Sequence, residues 1–187
     1  MVNLEGRINC DNTISTRWYV ITGAPCSGKT AVIEALARRG YSVVQEVARA
    51  YIEEQLASGL SMLQIRGDEH AFERCLLEKK AAIERKLNVR DIIFLDRAVP
   101  DSIAYYRFAG LDPSEPVAFS RHVRYKKIFL LERLPVKTDA VRKEDDPSAE
   151  ALETLLIECY QALGYRLIRI PVSTVSQRTD TILQHLD

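Results

Sequence analysis

The sequence is poor in cysteine and histidine and carries no excess charge of either sign. Its four cysteines, Cys10, Cys26, Cys75 and Cys159, show no C-x-x-C spacing and stand near no histidine pair. That pattern excludes a zinc-finger array and a disulfide framework. The cysteines read as free thiols, in keeping with a cytoplasmic protein. His70, His122 and His185 are isolated and suggest no metal site. Lys plus Arg and Asp plus Glu both number 26, so the chain lacks the basic footprint that nucleic acid demands. No apolar run approaches the ~20 residues of a membrane span. Residues 1–17 lack the apolar segment of a signal peptide, and residues 1–16 are expected to form a flexible arm. Repeats, low-complexity tracts and Pro/Gly/Ser-rich linkers are also missing. One domain over 17–187 is therefore expected, large enough to bury roughly 70% of its unfolded surface without covalent staples.

Against these absences stands one strong motif. Gly23-Ala24-Pro25-Cys26-Ser27-Gly28-Lys29-Thr30 matches the phosphate-binding loop G-x-x-x-x-G-K-[ST]. In such a loop, glycines let backbone N–H groups turn inward around phosphate oxygens. The lysine reaches the β- and γ-phosphates, and the threonine hydroxyl ligates Mg²⁺. The flanks suit the motif. Residues 18–22 (WYVIT) have strand character, and 31–39 (AVIEALARR) have helical propensity and end at Gly40. The guanine-specifying N-K-x-D pattern is absent, which favours ATP over GTP. Cys26 lies inside the loop, either as a tolerated small side chain or as a thiol whose oxidation interferes with nucleotide binding.

Further strand-like runs follow at 42–45, 91–95, 126–131 and 166–170. Several are apolar without strict alternation, as in strands covered on both faces. Helix-like stretches lie between them at 47–58, 63–88, 100–109 and 149–163, and a last helix at 175–186 closes the chain. Alternating strands and helices predict a parallel α/β sheet with right-handed crossovers. Ligands bind such sheets at the carboxyl ends of the strands, so functional residues should follow each run.

Two acids do so. Glu46 follows the second run and Asp96 the third. At neighbouring strand ends they suggest complementary roles, in which Asp96 holds metal and Glu46 accepts a proton from an acceptor hydroxyl. The plainer alternative for Glu46 is an acid complementing a helix dipole. Arg49 and Arg97 either clamp the acceptor or pair with the adjacent acids. Tyr105 either lines an acceptor pocket or packs in the core with a polar tip. Residues 121–143 are locally basic and follow the fourth strand, where a mobile lid over about 133–147 is expected. Arg133 and Arg142 are its candidates for charge on the moving phosphoryl group, with a solvated surface as the alternative. Pro171 and Val172, after the fifth strand, are candidates to hold the adenine ring.

Gly23–Thr30, Glu46-Val47-Ala48-Arg49, Leu95-Asp96-Arg97, Pro100-Asp101-Ser102 and Thr138-Asp139-Ala140-Val141-Arg142 occur in that order. Together they resemble a branch of the AAA-named P-loop ATPases similar to bacterial ribosylnicotinamide kinase domains. The resemblance implies a three-layer P-loop NTPase fold of the nucleoside/nucleotide kinase type, with a five-stranded parallel sheet and helices on both faces. It also implies that Lys29 and Thr30 serve ATP and Mg²⁺, Glu46 and Asp96 the acceptor and metal, and Arg142 the lid. The expected activity is phosphoryl transfer from ATP to a small nucleoside-like acceptor. A nucleotide-dependent binding module and a simple hydrolase are the alternatives. Oligomeric state has no signature in the sequence.

Overall fold

The computed structural model describes residues 13–134 and 147–186. Its central sheet has five parallel strands in the order β3 (Ser42–Val44), β4 (Ile93–Asp96), β2 (Trp18–Thr22), β6 (Lys127–Leu131) and β7 (Leu167–Ile170). A two-stranded parallel ladder, β1 (Ile14–Ser15) with β5 (Val123–Arg124), lies outside it. The helices are α1 (Lys29–Arg38), α2 (Val47–Ala57), α3 (Met62–Ile65), α4 (Glu69–Glu84), α5 (Asp101–Phe108), α6 (Ser114–Ser120), α7 (Pro147–Ala162) and α8 (Val175–Leu183).

Every residue of β2 is buried, because alternate side chains enter two separate cores. Tyr19 and Ile21 join Phe94, Phe129 and Leu131 against Val32, Ile33 and Leu36 of α1 and Ile182 of α8. Trp18 and Val20 point the other way, with Ile93, Leu95 and Ile128, toward Tyr125, Tyr160 and Tyr165. Burying each such side chain contributes about 1.5–3 kcal/mol. These two faces give the expected three layers. The register sets Ile21 level with Asp96 on one side and Phe129 on the other. The loops after β2, β3, β4, β6 and β7 therefore gather at one end.

The helix expected over 63–88 is two helices. Ser61 and Gln64 form a capping box that starts α3. Gly67 then passes so close to Leu63 O that a Cβ there would lie 2.9 Å from it, and Asp68 caps α4 by accepting from Ala71 N at 2.9 Å. Alternating propensity hid this break, since every residue near it except Gly67 is compatible with helix. Strand ends move by one or two residues, and α8 stops at Leu183. Thr13–Thr16, at the end of the expected arm, is fastened to the domain through Ile14 N to His122 O and Thr16 N to Arg124 O. Among the described residues no helix is long and apolar enough to cross a membrane.

Candidate functional site

The turn after β2 requires its glycines. Gly23 adopts φ +144°, and a Cβ there would sit 2.6 Å from Leu131 O. Gly28 adopts φ +82° at the N-cap of α1. Cys26 holds φ 61° without being glycine, a conformation that costs of order 1–3 kcal/mol and persists only when its surroundings enforce it. Pro25 and Cys26 are exposed, while Ala24 and Ser27 are buried. Lys29 is buried, and its Nζ donates to Gly23 O (3.0 Å), Ala24 O (2.9 Å) and Ser27 Oγ (3.2 Å). Its pKa falls to about 8, chiefly because burial disfavours the ammonium and secondly because Arg97 repels it. Asp96, Glu46 and Asp101 oppose that fall. Thr30 is half-buried in the first turn of α1.

Asp96 ends β4 with 1% of its surface exposed. Among the described residues neither of its carboxylate oxygens has a hydrogen-bond partner. Its pKa is pushed up to about 6, first by burial and then by Glu46, against the pull of Lys29 and Arg97. An orphaned carboxylate in such a place destabilises the fold, and a bound cation would offset that cost. Its acidic oxygens and the Thr30 hydroxyl are the hard donors that Mg²⁺ takes alongside phosphates. The residues present therefore fit a magnesium nucleotide. Among the described residues no cluster of three or more His, Cys, Asp or Glu could hold a metal by itself.

Arg97 is a pair partner rather than a free clamp. It sits at φ 65°, donates from Nε to Glu46 Oε1 (3.0 Å) and from Nη1 to Asp101 Oδ1 (3.3 Å), and lies 5.2 Å from the Tyr105 ring centroid. Glu46 is the N-cap residue of α2, yet its side chain makes no cap hydrogen bond; Arg97 holds it instead. Asp101 was not singled out as a site residue from the sequence, though it is the hub. It is fully buried and accepts from Thr22 Oγ1 (2.6 Å), Arg97 Nη1, Ala98 N (2.9 Å) and Tyr160 Oη (2.5 Å). Its sequence signals were its place in Pro100-Asp101-Ser102, one of the segments that carry the family resemblance, and its i,i+4 spacing from Arg97 at a helix start.

Beside this network lies a cleft made of two cavities, about 90 Å³ and about 330 Å³, that share Arg66, Glu73 and Tyr105 as walls. The smaller one reaches Glu46, Lys80 and Arg97; the larger one reaches Pro25 of the phosphate loop. Tyr105 thus lines the cleft, and burial pushes its phenol up to about 12. Arg49 does not line either cavity; it is exposed on α2. Glu73 and Lys80, also missed from the sequence, face inward from α4.

On the far side, Arg178 of α8 is 2% exposed. It donates to Ser27 O, to Glu132 O (2.9 Å) and to Pro171 O (3.0 Å). One guanidinium thereby joins the phosphate loop to the ends of β6 and β7. Pro171 faces it through its carbonyl, while Val172 is 45% exposed. Arg133 is half-buried just past β6. Arg142 lies outside the described residues, as does 135–146 of the expected lid.

Fold and loop together define a P-loop nucleotide-binding domain of kinase-like architecture. A family model described as AAA domain matches residues 18–178, and the chain belongs to that family. Solved structures share the fold at low identity. A NadR protein in complex with NR has a TM-score of 0.65 at 15% identity, over 91% of this chain and 52% of that one. Deoxyadenosine kinase from M. mycoides has 0.61 at 15%, over 90% and 98%. Thymidylate kinase from Ehrlichia chaffeensis has 0.64 at 14%, over 92% and 99%. The chain spans about half the length of the NadR chains it matches. No curated protein matches the sequence.

Proposed function

We propose that the protein is a magnesium-dependent phosphotransferase that moves the ATP γ-phosphoryl group to a hydroxyl of a nucleoside-like acceptor. The observation that carries this is the meeting of two features. A phosphate loop with its lysine stands beside a walled cleft; Glu46 is in the cleft wall, and buried Asp96 lies within electrostatic reach of both Lys29 and Glu46. A hydrolase needs no such cleft. The solved structures of similar fold also support it, since they include a NadR protein with NAD and AMP-PNP and a deoxyadenosine kinase with dATP.

In this reading the amides of Gly23–Thr30 cradle the polyphosphate, and Lys29 holds the β- and γ-phosphates. Thr30 and Asp96 would hold Mg²⁺, which when bound offsets charge on the phosphates. Pro171 and Val172, on the loop that Arg178 ties to the phosphate loop, flank the adenine, and Arg133 stands at the neighbouring strand end. Glu46, kept in place by Arg97, accepts the acceptor's hydroxyl proton as its oxygen bonds to phosphorus and the bond to ADP breaks. Positioning and charge stabilisation supply the rate. An uncharged acceptor fits best. Arg97 is already paired with Glu46 and Asp101, Arg66 with Glu69, and Lys80 donates to Ser102. Among the described residues the two arginines of the cleft thus already face carboxylates and are not free for a phosphomonoester.

The test is ADP formation with and without a panel of nucleosides, run beside Lys29→Ala. Strong stimulation by a nucleoside, lost in the variant, is expected. Turnover indifferent to every acceptor would establish a hydrolase instead, and binding without turnover a nucleotide-dependent switch.

A further inference from the structure

The cleft contains one carboxylate that the proposed chemistry does not use. Glu73, on α4, is 2% exposed and lines both cavities. Its carboxyl has no hydrogen-bond or ion-pair partner among the described residues. Lys80, Arg66 and Arg97 pull its pKa down from a distance, but their own hydrogen bonds go to other groups. Arg66 donates to Glu69 Oε1 at 2.6 Å and stacks on Phe72 at 4.8 Å, and Lys80 donates to Ser102 Oγ at 2.9 Å. Aromatic walls stand beside it: Phe72 in the smaller cavity and Tyr105 in both. The carboxylate opens onto the two cavities, and a group with so little access to water gains from a hydrogen-bond donor on whatever fills them. Burial pushes the Glu73 carboxyl upward, and a donor on the ligand would offset that.

We infer that Glu73 reads the ring of the acceptor, accepting a hydrogen bond from an exocyclic amino or carboxamide N–H while the ring lies against Tyr105 and Phe72. The substrate class is then a nucleoside bearing an N–H₂ donor, in preference to one with a carbonyl or carboxylate at that place. Ionised carboxylates are acceptors only, so a carbonyl there faces Glu73 with no proton between them. A site built for a donor rejects an analogue lacking it strongly. This inference rests on the phosphotransferase reading.

The experiment measures kcat/KM for three pairs: adenosine and inosine, cytidine and uridine, and a pyridine carboxamide riboside and its carboxylate counterpart. The wild-type protein is expected to favour the first member of at least one pair by 10-fold or more, on the order expected for a lost buried hydrogen bond. Glu73→Gln, which presents both a donor and an acceptor, is expected to bring that ratio close to one. The ratio is taken within one preparation, so partial misfolding does not move it. If Glu73→Gln gives no folded protein, Glu73→Asp serves, with the preference kept in direction and reduced in size. A wild-type preference for the second members, or a ratio unmoved by Glu73→Gln, overturns the inference and leaves the phosphotransferase standing. Stimulation by no acceptor overturns both.

Discussion

Replacing Asp101 by Asn should unseat the site from beneath. The carboxylate's two oxygens accept four hydrogen bonds, from Thr22 and Arg97 on one and Ala98 N and Tyr160 on the other. An asparagine has one acceptor oxygen and one amino group. If the amino group faces the first pair, the Thr22 hydroxyl can turn but the Arg97 N–H cannot. If it faces the second pair, the Tyr160 hydroxyl can turn but the Ala98 N–H cannot. Either way one fixed, buried donor is left unpaired, at about 1–3 kcal/mol. Breaking a buried ion pair costs roughly 3–5 kcal/mol, and Glu46 still faces Arg97, so the low end applies to that loss. The two contributions overlap, and about 4 kcal/mol is a fair total. In a domain of this size each kcal/mol lowers Tm by about 2–4 °C, which gives about 8–16 °C. Calorimetric melting of the purified variant reads this directly. Tyr160→Phe, which removes one bond to the same charge, should cost about 1.5–3 kcal/mol and bracket the result from below. An Asn variant melting within about 2 °C of wild type would refute the idea that Asp101 organises this end of the sheet.

Glu84 gives a pH-dependent test away from the site. Burial pushes its carboxyl from 4.5 to about 7, against hydrogen bonds from Tyr125 and Val99. The folded state then binds this proton more tightly than the unfolded chain, so its contribution to stability falls as pH rises from about 4.5 to about 7. Glu84→Gln should stabilise by up to about 3 kcal/mol at pH 8 and not at all near pH 4.5, as read by urea unfolding; an equal gain at both would contradict it. Glu46→Gln should lower kcat by about 10²–10⁴ with a much smaller change in ATP affinity, and an equal loss in both would remove Glu46 from the acceptor side. Gly23→Ala, whose new methyl meets Leu131 O at 2.6 Å, should weaken ATP binding in calorimetry; unimpaired binding would show that the turn tolerates a Cβ.

What could be read from the sequence was what has a short-range signature. The phosphate loop is contiguous, and Glu46 and Asp96 each follow an apolar run directly, so both motif and strand-end rules reach them. The sheet was legible because residues 18–22, 93–96 and 127–131 are apolar on both faces. Arg178 could not be found this way. It lies 151 residues from Ser27, whose carbonyl it holds, and on its own helix it looks like an ordinary surface arginine. Glu73 and Lys80 were hidden among the charged residues of α4, whose apolar Phe72 and Leu76 pack with Ile65 against α2. Their clue was spacing, since Glu73, Leu77, Lys80 and Glu84 share one buried face of α4. Burial of charge has no local cause that a sequence displays. It arises when the cleft closes around groups from α2, α4 and α5.

The most direct measurement is calorimetric titration of the purified protein with ATP in the presence of magnesium, beside Lys29→Ala. Saturable heat from the wild type and its loss in the variant are what a working phosphate loop predicts. If no purine triphosphate gives heat, or if Lys29→Ala binds ATP as well as wild type, the turn after β2 does not grip a polyphosphate and the account of this protein fails.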